Sequence, residues 1–283
     1  GASMGGIHIA AGNIATGKGE VFIAAGVESM TRIPMGGYNP LPNPGLFKNL
    51  PEAYMSMGLT AENVAKQCNV SREAQEDFAL NSHQKAAAAD MSGEIVPIMT
   101  KAGLVDKDGT IRAGSTREDL AKLSPAFDVY GTVTAGTSSP LTDGAAAVLV
   151  VSEEYAKKHG LKPLARIKAM AVVGLDPKVM GLGPIYAVEK VLKKAGLTIK
   201  DIDIVEINEA FSAQAIPCGS QLGIPPEKLN IEGGAIALGH PLGASGARLT
   251  GKAALLLSRK GKYAISAACI GGGMGIATVL ERV

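Results

Sequence analysis

Residues 1–27 align with residues 243–269 without a gap, at a constant offset of 242. Gly1-Ala2-Ser3 falls on Gly243-Ala244-Ser245, Lys18-Gly19 on Lys260-Gly261, Ile23 on Ile265 and Ala25 on Ala267. Both copies run in one order: turn, small-residue helix, Lys-Gly, strand, sharp end. Such a repeat implies two similar halves, each built round one helix–strand unit. No strand or turn precedes the first helix, so the first half is read as incomplete and the chain as truncated. Gly1-Ala2-Ser3 before Met4 reads as a cleaved-tag remnant ahead of a start methionine, in which case its match to 243–245 is coincidence. It has none of the regions of a signal peptide.

Composition narrows the class. With 283 residues a sizeable core is easily built. Aromatic residues are only 4% and glycine numbers 36, so the core must rest on small side chains and closely packed backbone, as in layered α/β proteins. A net charge of +2 and the lack of a long Lys/Arg run argue against nucleic acid as partner. The longest apolar run, Ala145 to Val151, is far too short for a membrane span. Three cysteines, Cys68, Cys218 and Cys269, make no disulfide framework and fit no zinc spacing, which suits a reducing compartment such as the cytoplasm and predicts no metal site.

Along the chain, residues 6–17 have helical spacing, and 21–27 and 145–151 read as buried strands. Residues 34–47, rich in Pro, Gly and Asn, read as a loop. Helices are predicted over 60–68 and 71–91, with Thr60 and Ser71 as N-caps, and short strands over 95–99 and 110–112. The tail alternates: strand 165–173, helix 185–195, strand 202–207, helix 210–222, helix 245–259, strands 263–270 and 275–280. Such alternation predicts a layered α/β fold with much parallel sheet.

Four stretches carry polar groups to turns or strand ends: Gly26-Val27-Glu28-Ser29-Met30, Asn208-Glu209-Ala210-Phe211, the glycine-rich run from Gly233 through His240 to Gly246, and Cys269-Ile270-Gly271-Gly272-Gly273-Met274-Gly275. In α/β sheets that edge is where ligands bind. His240 is either a base or a satisfied structural imidazole, and its turn alone does not choose. Cys269, read from its own surroundings, is more simply a buried core thiol than a reactive one. Flanking helix N-termini would lower its pKa. Asn208 could hold a water or donate to an oxyanion.

Together with Met57-Gly58-Leu59-Thr60-Ala61-Glu62-Asn63, Thr134-Ala135-Gly136-Thr137-Ser138-Ser139 and Ala171-Val172-Val173-Gly174-Leu175-Asp176-Pro177, these motifs resemble the thiolase family. The likeness covers nearly every residue after Met4. It implies αβαβα layers in two similar halves: 1–29 with 141–162 as what is present of the first half, 30–140 as an inserted CoA-binding loop domain, and 163–283 as the second half. It implies cleavage of 3-oxoacyl-CoA by CoA in fatty acid β-oxidation, or the reverse condensation, through an acyl-cysteine. Coenzyme A is then substrate, with no further cofactor. A homodimer or homotetramer, and a β-oxidation partner subunit, are the assemblies implied. By position, His240 corresponds to the activating histidine, Cys269 to the acid/base cysteine and Asn208 to the asparagine of an oxyanion site. Met57 and Phe211 correspond to the pantetheine tunnel, and Arg112, Phe127, Ala135 and Ser139 to CoA contacts. Arg112 suits phosphates because a guanidinium is forked and always charged; the other reading is a solvated surface arginine.

There are departures. The family's nucleophilic cysteine would lie one residue before Gly1, Gly5-Gly6 stand where Gln-Ala is usual, and Ser56 stands where biosynthetic members carry histidine. The Tyr54–Gly58 stretch is closer to degradative members. Neither Cys68 nor Cys218 is an obvious substitute nucleophile, so the chain alone is expected to be inactive. Two other readings stay open: a non-catalytic CoA-binding or interaction protein, and thioester hydrolysis by His240 and Cys269. Lost opening strands would leave apolar sheet exposed, with residues 4–30 reorganised or covered by a partner.

Overall fold

A computed structural model describes residues Gly1–Val283. The repeat is the skeleton of the fold. In the first copy, Ala2–Ala15 forms α1 and Val21–Ser29 forms β1. In the second, Ser245–Arg259 and Tyr263–Ile270 form the matching helix and strand. On α1, Ser3, Met4, Ile7 and Ala10 make one buried stripe at helical spacing. The opening residues pack into the fold: Met4 is fully buried and the Ser3 hydroxyl accepts from the backbone N–H of Ala247 at 2.9 Å.

Between β1 and its partner strand lie the short helix α2 (Pro44–Asn49), α3 (Met57–Gln67), α4 (Arg72–Ala88), a hairpin of β2 (Ile98–Thr100) and β3 (Gly103–Val105), and α5 (Arg117–Ala121). Ser71 caps α4 as expected, accepting from Ala74 N at 3.2 Å. Thr60 is not a cap. Helix α3 starts earlier, at cap position Ser56, and runs on through Met57-Gly58-Leu59, so Thr60 bonds back to Met57 O inside the helix. Residues 110–112, expected as strand, lie in an irregular segment outside every sheet. Then come β4 (Asp143–Val151), α6 (Glu153–Lys158), β5 (Arg166–Gly174), α7 (Gly183–Ala195), β6 (Ile204–Ile207), α8 (Ser212–Gln221), the single turn α9 (Ala235–Leu238), the repeat helix α10, the repeat strand β7, and β8 (Met274–Glu281). No helix is long and apolar enough to cross a membrane.

The sheets depart from the expected parallel pattern. One holds β1 antiparallel to β4; the other has the order β5-β8-β7-β6, in which only β6 and β7 are parallel. Strands β7 and β8 are joined by Gly271–Gly273, too short a link for the crossover that a parallel pair needs. Helices α1 and α10 lie side by side between the sheets: Ile7 and Ala10 pack with Ala24 and Val150, while Met4 and Leu249 pack with Ala268 and Ile276. Helix α7 covers the far face of the four-stranded sheet, where Val188 and Val191 meet Ile265 and Val279 in the largest core cluster. The far face of β1–β4 has no such cover. Its strands alternate exposed residues with half-buried or buried ones rather than being buried throughout, and Ile23 and Val27 are about three-quarters exposed (75% and 73%).

Candidate active site

Asn208 and His240 meet where β6, β7 and α10 come together, and Cys269 stands two residues beyond Ala267, whose carbonyl accepts the Asn208 N–H at 2.9 Å. Asn208 follows the last residue of β6, and Cys269 is the penultimate residue of β7. His240 precedes α10 in the turn that starts with α9. That turn needs glycine at 239, whose φ of 88° would put a side chain onto Thr142. With Gly239 in place, the His240 N–H donates to Thr142 Oγ1 at 3.3 Å.

The His240 ring is held at both nitrogens. Nδ1 lies 2.6 Å from Ser245 Oγ, and that hydroxyl donates to Pro241 O at 3.0 Å. A hydroxyl has one proton, so Nδ1 must carry the hydrogen between it and the serine. Nε2 is then the acceptor, 3.1 Å from Asn208 Nδ2, which donates. Burial, with the Arg248 charge second, pushes the histidine down to about 3. At neutral pH the ring is an uncharged base. Burial also pushes the Cys269 thiol up to about 11. The expected lowering by helix N-termini is therefore not found: desolvation dominates, and Cys269 is a protonated acid at neutral pH.

Glu209, the next residue after Asn208, braces this wall. Fully buried, it accepts from Ser82 Oγ at 2.6 Å, Asn230 Nδ2 at 2.7 Å and Ile236 N at 3.2 Å. Burial raises its pKa despite those three donors. Ser82 in turn accepts from Gly234 N at 3.0 Å, so α4, β6 and the histidine turn are tied through one carboxylate. Glu28, from the end of β1, accepts from Gly243 N at 3.1 Å on the other side of the turn. In the sequence Glu209 and Glu28 stand within motifs without a task of their own, and Ser245 stands out only through the repeat. The signal for Ser245 was a hydroxyl five residues past the histidine, at the first turn of α10.

The remaining candidates form two groups. Met57 lies with its thioether over Gly271, two residues past Cys269. Its neighbour Gly58 packs on the Phe127 ring, and Phe127 meets Phe211 edge-on at 5.7 Å. Ser139 N donates to Ala210 O at 3.0 Å, which sets Ser139 beside Phe211, and Ala135 opens the short helical turn four residues earlier. Arg112 is held elsewhere. Its backbone N–H donates to His83 Nδ1 on α4 at 3.1 Å, and its side chain is exposed. Thr110, two residues before, donates to Ala237 O at 2.7 Å.

Comparison with known proteins gives matches over nearly the whole chain. Residues 1–154 match the family model for the thiolase N-terminal domain and residues 161–282 that for the C-terminal domain. The 3-ketoacyl-CoA thiolase of Salmonella typhimurium is 50% identical over 297 aligned residues, covering 100% of this chain and 76% of the relative. That of Vibrio parahaemolyticus is 48% identical and covered to 75%. Among solved structures, the dimeric peroxisomal thiolase of Saccharomyces cerevisiae superposes with a TM-score of 0.92 at 40% identity, covering all of this chain and 74% of that one. Human mitochondrial 3-ketoacyl-CoA thiolase in complex with CoA gives 0.90 at 41%, with 100% and 76% covered.

Proposed function

The chain belongs to the thiolase family, and from that premise we propose that it carries the base, the acid and the CoA tunnel of a 3-ketoacyl-CoA thiolase acting in fatty acid β-oxidation. The observation that carries the proposal is the doubly held, uncharged His240, with Asn208 at its Nε2. In thiolysis a cysteine thiolate attacks the 3-oxo carbon, and the bond between C2 and C3 breaks. The electron pair of that bond passes to the acetyl-CoA carbanion, which takes the Cys269 proton. The acyl group stays on the nucleophile until the CoA thiol returns a proton to Cys269 and displaces it. A thiol at about 11 suits the acid step, since it holds its proton until a stronger base forms beside it. His240 Nε2 can accept the nucleophile's proton, and the Asn208 amide and His240 can face the charge that develops on the thioester oxygens.

Met57, Phe127 and Phe211 would line the pantetheine arm, with Ala135, Ser139 and Arg112 toward the nucleotide. CoA is substrate here, and the scheme calls on no other cofactor. The human relative solved with CoA and the dimeric yeast relative support a CoA-binding oligomer. The three free thiols suit the cytoplasm or another reducing compartment.

None of the three cysteines among these 283 residues lies on α1. Cys218 is buried in α8 with its thiol on Gly181 O, and Cys68 ends α3 against Gln221. The 283 residues by themselves are therefore expected to bind CoA without thiolysis. A calorimetric titration with CoA, beside a thiolysis assay on acetoacetyl-CoA, tests this. Turnover by these residues alone would overturn the missing-nucleophile reading. Absence of CoA binding would remove the tunnel assignment. Hydrolysis without added CoA, abolished by Cys269→Ala, would replace thiolysis with thioester hydrolysis.

A further inference from the structure

Helix α4 holds two neighbouring residues that face different parts of the site. Ser82 grips the catalytic wall through Glu209 and Gly234. His83, 8% exposed, grips the backbone N–H of Arg112. The segment between is stapled at a second point, since Thr110 Oγ1 donates to Ala237 O in α9, three residues before His240. Ile111 fills the gap, packed with Ala86, Met91, Ala237 and Leu238. The arginine itself thus springs from a backbone fixed at its own N–H and two residues earlier, while its side chain is exposed.

From this joint we propose that His83 is a positioning residue for CoA: by holding the Arg112 backbone it aims the guanidinium at the nucleotide's 3′-phosphate. The inference rests on the reading of Arg112 as a CoA contact. Two features of His83 fit the task. To accept from a backbone N–H, Nδ1 must be unprotonated, and burial together with the Arg112 charge lowers the His83 pKa, keeping the ring neutral. An arginine side chain also gives up rotamer freedom when it binds, and motion of the backbone beneath it would add to that cost. Fixing its Cα beforehand removes part of the ordering that binding would otherwise require.

The test is calorimetric binding of CoA and of dephospho-CoA, which lacks the 3′-phosphate, to the wild-type chain and to His83→Ala, His83→Asn and Arg112→Ala. Asn can place an acceptor oxygen near the position of Nδ1. His83→Ala should weaken CoA about tenfold, the equivalent of one lost hydrogen bond at the upper end of its usual worth. Dephospho-CoA should change by no more than about twofold on the same scale. His83→Asn should restore most of the affinity, and Arg112→Ala should mimic or exceed the alanine variant. Equal loss for both ligands, or no rescue by Asn, would reduce His83 to a structural core residue and overturn the proposal. If Arg112→Ala binds CoA normally, the assignment of Arg112 itself fails. If Arg112→Ala weakens CoA while His83→Ala does not, only the positioning role fails.

Discussion

The two copies of the repeat share sequence order and local structure, yet only one is enclosed. In the second copy β7 is buried on both faces, with α10 on one and α7 on the other. In the first copy β1 has α1 on one face and nothing on the other. Equivalent positions therefore meet opposite solvents: Ile265 is fully buried and Ile23 is 75% exposed; Cys269 is 9% exposed and Val27 is 73% exposed. The helix–strand unit specifies its own geometry, but the layer laid against it sets what each side chain is worth. Cys269 lies on the enclosed copy, with His240 just ahead of that copy in the chain and Asn208 at the end of the neighbouring strand, where burial can hold a histidine neutral and a thiol protonated.

The widest predicted gap is in stability. Ile265→Ala removes buried methylenes from the main core and should cost about 2–5 kcal/mol. Ile23→Ala, the same change at the matched position, should stay within about 0.5 kcal/mol. Urea unfolding of both variants measures the difference. Equal costs would mean that the outer face of β1 is covered in solution, which would break the contrast.

How much of this was legible in the sequence follows the same line. Helix α10 and strand β7 lie where the sequence predicts them, because an enclosed element must keep a full apolar pattern along its length. His240, Asn208 and the Cys269 turn stood out because glycine-rich stretches and polar residues at strand ends are rare within such patterns. Burial of β1 and β4 was misjudged, since Val21-Phe22-Ile23 and Ala145–Val151 read alike whether one face is covered or two. Thr60 was misread because a threonine followed two residues later by glutamate looks like a cap whether or not the helix has already begun. The braces around the site are non-local: Ser82 to Glu209 spans 127 residues and Glu28 to Gly243 spans 215. No local pattern announces such partners.

Cysteine chemistry sharpens the comparison next. Cys269 has its thiol pushed up to about 11, so between pH 7 and 10 its thiolate fraction rises about tenfold per pH unit and levels off only above the pKa. Val27→Cys places a thiol at the matched, exposed position, where no comparable desolvation acts. Iodoacetamide at pH 8, followed by peptide mass mapping, should label the new thiol on the order of a hundredfold faster than Cys269, with lower access adding to the lower thiolate fraction. Comparable rates would mean that Cys269 is neither desolvated nor shielded, and the acid role proposed for it would fall.

The smallest effect concerns the pair Ser3 and Ser245, which the repeat matches and the fold uses differently. Ser245 holds His240 Nδ1 within its own half. Ser3 reaches across to α10, whose cap residue Ala244 has no side-chain acceptor, and receives the N–H of Ala247 instead. A serine of one half thus caps the helix of the other. Ser3→Ala should cost about 1 kcal/mol, as loss of an N-cap usually does. It should leave the His240 tautomer as it is. Ser245→Ala should do the reverse where it matters: with Nδ1 unpartnered, the ring is free to move its hydrogen to Nε2 and turn its acceptor away from Asn208. Nitrogen chemical shifts of the labelled imidazole separate the two tautomers. If Ser3→Ala shifts the tautomer as strongly as Ser245→Ala, the two serines are not divided between stability and the site, and the half that lacks an outer layer shapes the chemistry as directly as the half that has one.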